Sequence, residues 1–245
     1  MNDPMLHLVL LFGVTVMVSH FLEGITGFGC TALAMPFSVM LIGIERARLI
    51  LTLYAFLLAV FVVFRSYKKI DWPVFKKIML LLLPGLPIGI LLYGVLPQKL
   101  LYLLLAIFMI SISIRGLIST FKSNSPKGLP EKLSLVLVFL GGIIHGAFSS
   151  GGPLVITYAS EKIKDKGSFR VTLCLTWAVL NFLILTQNAV AGSYPAGTME
   201  ILLISLPFFL AGCLLGDFAH KKVSGNSFLK LVYILLFVTG VFMVL

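Results

Sequence analysis

Charge is scarce in this sequence. Lys, Arg, Asp and Glu together make up 11% of the 245 residues, and only nine are acidic. A soluble domain of this length needs far more polar surface to cover its core, so the scarcity excludes that class. Cysteine is nearly absent too: Cys30, Cys174 and Cys213 all lie in apolar segments without metal-type spacing. They read as small hydrophobic residues, and no metal site or disulfide framework is expected. Long polar stretches are missing; the longest, Ser119 to Lys132 ("STFKSNSPKGLPEK"), is a linker and not a domain. The N-terminal "MNDPMLHLVLLFGVT" has neither a basic n-region nor a small-residue cleavage site, so it is not expected to be a removable signal peptide. No pattern for a nucleotide, haem or hydrolytic triad is present, and no cofactor is expected.

What fills the chain is hydrophobic: 59% of residues are apolar, with mean hydropathy +1.09. Runs long enough to cross a bilayer, about 17 to 25 residues, recur throughout. They are Met5 to Leu22, Leu49 to Phe64, Ile78 to Leu96, Leu100 to Ile118, Leu133 to Ser149, Val171 to Ala191, Ile201 to Phe218 and Phe228 to Leu245. Thr31 to Ile44 and Pro153 to Ser160 are too short to span comfortably. Unpaired backbone is costly in lipid, so the runs predict helices and an all-α polytopic membrane protein. The net charge of +10 would suggest nucleic acid in a soluble chain. Here the basic residues sit in short loops between spans, where the positive-inside rule accounts for them, and no nucleic-acid partner is expected.

The linker divides the chain near its middle. Laying the second half over the first at an offset of 122 residues places His145 on Glu23, Gly146 on Gly24, Gly151 on Gly29, Arg170 on Arg48 and Pro195 on Pro73. One further residue of offset places Pro207 on Pro84 and Gly212 on Gly89. The expected organisation is therefore an N-terminal repeat (1–118), a cytoplasmic linker (119–132) and a C-terminal repeat (133–245). Each repeat holds a Gly-rich broken or re-entrant helix pair and three spanning helices. An odd number of crossings per half inverts the second half relative to the first. In that scheme 16 of the 19 Lys and Arg fall on one side, leaving Arg46, Arg48 and Lys99 on the other. This makes the rich side cytoplasmic and puts both termini outside.

Inverted repeats are a recurring plan of secondary transporters, whose sites expose backbone N–H groups where helices are discontinuous. The two interruptions, "EGITGFGCT" and "HGAFSSGGP", supply such places. Glycine lets backbone approach a ligand, and helices starting after each break aim positive dipole ends at it, which suits a small anion. The candidate binding residues are Gly24, Thr26, Gly27 and Gly29 in the first break and Ser149, Ser150, Gly151 and Gly152 in the second. The competing reading of such glycines is close helix packing.

Among ionisable residues, Glu23 is the carboxylate far from any polar loop. It and its repeat partner His145 are candidates for proton coupling. The plainer alternatives are that Glu23 caps the break and His145 bonds to a neighbouring span. His20, one turn before Glu23, is placed to pair with it. Arg48 and Arg170 match across the repeat and suit a sulfonate or carboxylate at a substrate entrance, against the ordinary alternative of snorkelling to headgroups. Asn181 either lines the path or joins helices. Asp217, at a span end before "HKK", is expected to be solvated at the interface.

The segments "GFGCTALAMP" (Gly27 to Pro36) and "GAFSSGGPL" (Gly146 to Leu154) carry a wider resemblance. In a two-half polytopic chain of this length, each half opening on a hydrophobic stretch and a Gly-rich, Pro-ended signature, the whole sequence resembles the sulfite exporter TauE/SafE family. Phe28 and Cys30 in one copy, and Ser149 and Ser150 in the other, depart from the usual glycine run. The resemblance implies transport of a small anion, typically sulfite or an organosulfonate, across the bacterial inner membrane. Export down a cytoplasm-negative potential is the expected direction. Uptake of a related anion, a membrane-embedded enzyme and a structural subunit are the alternatives; the scarcity of interior acids and bases disfavours the enzyme, and the repeat disfavours the subunit. The expected partners are the anion and the bilayer, and a homodimer is compatible with the reading.

Overall fold

The computed structural model describes residues 3–95, 97–121, 130–192 and 194–222, together with residues 230, 233, 234, 237, 238, 240 and 241. Among these every regular element is helical. The order is α1 (Asp3–Thr26), α2 (Cys30–Ile42), α3 (Ile44–Ser66), a short 3-10 turn (Tyr67–Lys69), α4 (Trp72–Val95), α5 (Gln98–Phe121), α6 (Glu131–Phe148), α7 (Gly152–Lys162), α8 (Lys166–Val190) and α9 (Thr198–Lys222). Among the described residues six stretches are long and apolar enough to cross a membrane: Leu6–Thr26, Ile44–Lys69, Trp72–Val95, Glu131–Phe148, Lys166–Val190 and Thr198–Lys222. The chain is a multi-pass membrane protein.

The run Leu100 to Ile118 falls inside the 24-residue α5, whereas most of Phe228 to Leu245 lies outside the described residues. Within the expected linker, α5 continues through Phe121 and α6 begins at Glu131; residues 122–129 lie outside the described residues.

The short runs are short helices. α2 has 13 residues and α7 has 11, so at 1.5 Å per residue they reach about 20 Å and about 17 Å. A hydrocarbon core is about 30 Å thick.

The chain divides into two compact units. The first, Met1–Tyr67 with Leu173–Lys222, contains α1, α2, α3, most of α8 and α9. Its axis is the α1–α9 pair, which meets through small residues. A Cβ at Gly24 would lie 2.9 Å from Gly216 Cα, one at Gly212 would lie 2.5 Å from Met17 O, and one at Gly216 would lie 2.6 Å from Phe21 O. Such contact lets two backbones touch in lipid, where no hydrophobic force drives helices together. The end of α1 is tied down as well: the Ile25 carbonyl, an orphan of the last turn, accepts from His220 Nδ1 at 2.7 Å. Asp217 is buried, not solvated at an interface as expected, and pairs with Arg65 at 3.2 Å.

The second unit, Lys68–Thr172 with Val223–Leu245, is built on α4 and α6. Their seam uses the same device from both sides. A Cβ at Gly85 would meet Phe139 O at 2.6 Å, and those at Gly142 and Gly146 would strike the carbonyl oxygens of Leu82 and Leu86. The loop before α8 is capped by Asp165, whose carboxylate accepts from Ser168 N at 2.7 Å. That bond from the backbone holds the Asp165 carboxyl below its ordinary range. At the C-terminal end of α7 and the start of α6 lies an exposed charge cluster: Glu131 accepts from Lys77 at 2.8 Å and pairs with Lys162 at 3.4 Å. Both ammonium groups also lie over the Tyr158 ring. Exposed pairs of this kind add little stability.

Candidate functional site

The first break begins where α1 stops at Thr26. Gly27 (φ 82) and Gly29 (φ 97) both take positive φ, a region that costs a branched L-residue heavily. Thr26 Oγ1 sits 2.8 Å from both Leu22 O and Phe28 O, so its hydrogen serves the backbone of the break. The Gly27 carbonyl leaves the helix and accepts from Trp177 Nε1 at 3.0 Å, with the Cys174 thiol at 3.8 Å. Both donors lie on α8, 147 to 150 residues away. Gly29 is the residue before α2, and a Cβ there would meet nothing within 4 Å. The site beside Gly29 is therefore open, and the first amides of α2 have no acceptor within their own helix.

Trp177→Phe removes the indole N–H and leaves to the Gly27 carbonyl the longer, weaker bond from the Cys174 thiol. The expected result is a loss of about 1–3 kcal/mol, read as a lower melting temperature of the detergent-purified protein.

The second break has a different local chemistry. α6 ends at Phe148, and Ser149 holds φ 53, ψ 29, the only non-Gly residue with positive φ among the described residues. Its N–H bonds back to His145 O at 2.7 Å. Ser150 Oγ donates to Phe148 O at 3.0 Å. Like Thr26, then, Ser150 gives its hydroxyl hydrogen to the break itself and offers a ligand only its lone pairs. Gly151 is not in the positive-φ region (φ −69). It is small for another reason: a Cβ would strike Gly141 O and come within 2.9 Å of His145 Cβ. Pro153 stands in the first turn of α7, where its missing N–H costs nothing.

Of the remaining expected site residues, Glu23 is 2% exposed and lies within α1, and His145 is 2% exposed and lies within α6. Gly24 is part of the α1–α9 seam, and Gly152 opens α7. Arg170 is buried whereas its repeat counterpart Arg48 is half-buried. Asn181 is buried on α8, in the same unit as the first break. The first unit thus holds Thr26, Gly27, Gly29, Glu23, Arg48 and Asn181, and the second holds His145, Ser149, Ser150, Gly151 and Arg170. Trp177 and Cys174 were not foreseen. Nothing in the local sequence marks an indole in one span as the partner of a carbonyl in another.

A family model described as "Sulfite exporter TauE/SafE" matches residues 11–243, nearly the whole chain. The chain belongs to that family. TauE/SafE proteins are membrane transporters, and the six apolar helices fit that role. No curated protein and no solved structure gives a match to this TauE/SafE chain.

Proposed function

We propose that this TauE/SafE protein is a secondary transporter of the bacterial inner membrane. It moves a small anion, sulfite or an organosulfonate, by alternating access and in the export direction, with both termini outside the cytoplasm. The observation that carries the reading is the pair of breaks: each ends a long helix on a positive-φ residue and is followed by a helix too short to span, whose first amides suit an anion.

Several features support an inverted repeat. α1 ends at 26 and α6 at 148, α2 starts at 30 and α7 at 152, and α3 starts at 44 and α8 at 166, each pair 122 apart. The positive-φ positions Gly27 and Ser149 are separated by the same 122. The glycine seams correspond too: α1 packs on α9 through Gly24 and Gly212, while α6 packs on α4 through Gly146 and Gly89. In this reading each break offers the anion its own backbone amides, those after Gly29 in the first unit and those after Gly151 in the second, with Gly27 and Gly152 completing the two turns. Ser149 Oγ adds a polar contact, and Arg48, Arg170 and Asn181 serve the approach.

Flux in proteoliposomes tests the proposal. With a potassium-diffusion potential, sulfite or a small sulfonate is expected to move faster than in protein-free vesicles, toward the positive side, while carboxylates of similar size move more slowly. Equal rates with and without protein for every sulfur oxyanion would end it.

A further inference from the structure

His20 and Glu23 lie three residues apart on α1, so they share a face. The break at Gly27–Gly29 then turns the chain so that Cys30 opens α2. All three side chains are buried, at 0%, 2% and 1% exposure. A ring nitrogen of His20, a carboxylate oxygen of Glu23 and the Cys30 sulfur all lie within 4.8 Å of one another.

The histidine is oriented in a telling way. Its Nδ1 lies 2.8 Å from the Val16 carbonyl. A carbonyl can only accept, so Nδ1 carries the hydrogen and Nε2 carries the lone pair. Nε2 is buried and has no hydrogen-bond partner among the described residues. The ring is also fixed edge-on against Tyr54 and Phe209, at centroid distances of 5.8 and 5.1 Å. Tyr54 is locked in turn by bonds to Leu202 O at 2.7 Å and Ser205 Oγ at 2.9 Å. A ring N–H held by a backbone carbonyl, with the other nitrogen left to a ligand, is the arrangement found around metal-binding histidines. Leaving such an acceptor buried and unused is unfavourable.

We infer that His20, Glu23 and Cys30 bind a divalent transition ion of the zinc class, which clamps the start of α2 to the end of α1. The imidazole, carboxylate and thiolate donors suit zinc. Bond lengths of about 2.0–2.3 Å require donor separations of roughly 3.3–3.8 Å, so small side-chain rotations close the site. Charge favours it as well: a carboxylate, a thiolate and a dication sum to zero, which removes net charge from a place where an isolated charge is costly. Binding replaces the Cys30 S–H bond with a sulfur–metal bond and releases that proton to solvent; a protonated Glu23 releases a second. No oxidation state changes.

The test is cobalt titration of the purified, metal-stripped full-length protein in detergent. The expected result is a tetrahedral cobalt spectrum with a thiolate-to-metal charge-transfer band that saturates at one ion per chain and is bleached by zinc. Cys30→Ser should remove the charge-transfer band and Cys174→Ser should keep it. His20→Gln should weaken binding at least about tenfold. X-ray absorption of the zinc-loaded wild-type protein needs no variant to fold, and should show one sulfur in a mixed nitrogen and oxygen shell. No cobalt band in the wild type, a charge-transfer band that survives Cys30→Ser, or a shell without sulfur would overturn the inference.

Discussion

Gly142→Leu is expected to leave almost no folded protein to assay. Gly142 lies on α6 against α4, where even a Cβ would strike the Leu82 carbonyl oxygen and stand 3.0 Å from Leu82 Cα. Overpacking a core costs about 1–3 kcal/mol when side chains can shift, and more when they cannot. Here the opposing atoms are backbone, held in their own helix. Separating α4 from α6 would also loosen Gly85, Gly89 and Gly146, which meet across the same seam. Gly94→Leu is the control, because Gly94 lies in the same α4 and a Cβ there meets nothing within 4 Å. Its yield and melting temperature should match the wild type, whereas Gly142→Leu should elute as aggregate after detergent extraction. A monodisperse Gly142→Leu protein with wild-type melting would show that the helices do not approach so closely.

Substitutions at the two break glycines should both abolish flux, through different causes that one further variant separates. Gly29 has positive φ beside open space. Valine there is strained by the backbone and places a branched side chain where the anion is proposed to bind. Gly151 has ordinary φ but no room, so valine there fails by collision with α6. A flux loss of at least about tenfold, equivalent to about 1.4 kcal/mol, is expected for each. Asparagine tolerates positive φ better than other non-glycine residues. Gly29→Asn should therefore melt closer to wild type than Gly29→Val, while Gly151→Asn should be no more stable than Gly151→Val. Wild-type flux in a well-folded Gly29→Val protein would return that glycine to a purely structural role.

Much of this was legible in the chain because lipid imposes a simple rule: apolar runs become helices, and glycine-rich interruptions become breaks. The break positions were read only approximately. Glu23, Gly24, His145 and Gly146 looked like parts of the interruptions, yet α1 continues to Thr26 and α6 to Phe148. A glycine inside a membrane helix is tolerated when a neighbouring backbone fills its place, and the sequence does not say which neighbour that is. The pairing of α1 with α9 and of α4 with α6 depends on contacts across the length of the chain. Trp177 is invisible for the same reason, since its partner Gly27 is 150 residues away. Cys30 shows the limit most clearly. Spacing between cysteines gives no metal pattern, because the groups near Cys30 are His20 and Glu23 on the preceding helix, brought close only by the turn at Gly27–Gly29.

The central claim, that the anion is held by backbone amides at the two breaks, is tested most directly by hydrogen–deuterium exchange of the purified protein with and without sulfite. Peptides covering residues 27–33 and 149–155 should exchange more slowly when sulfite is bound, with a half-saturation concentration matching that of flux. Sulfite that is transported at saturable rates while both peptides exchange unchanged, or while protection falls only elsewhere, would contradict the account.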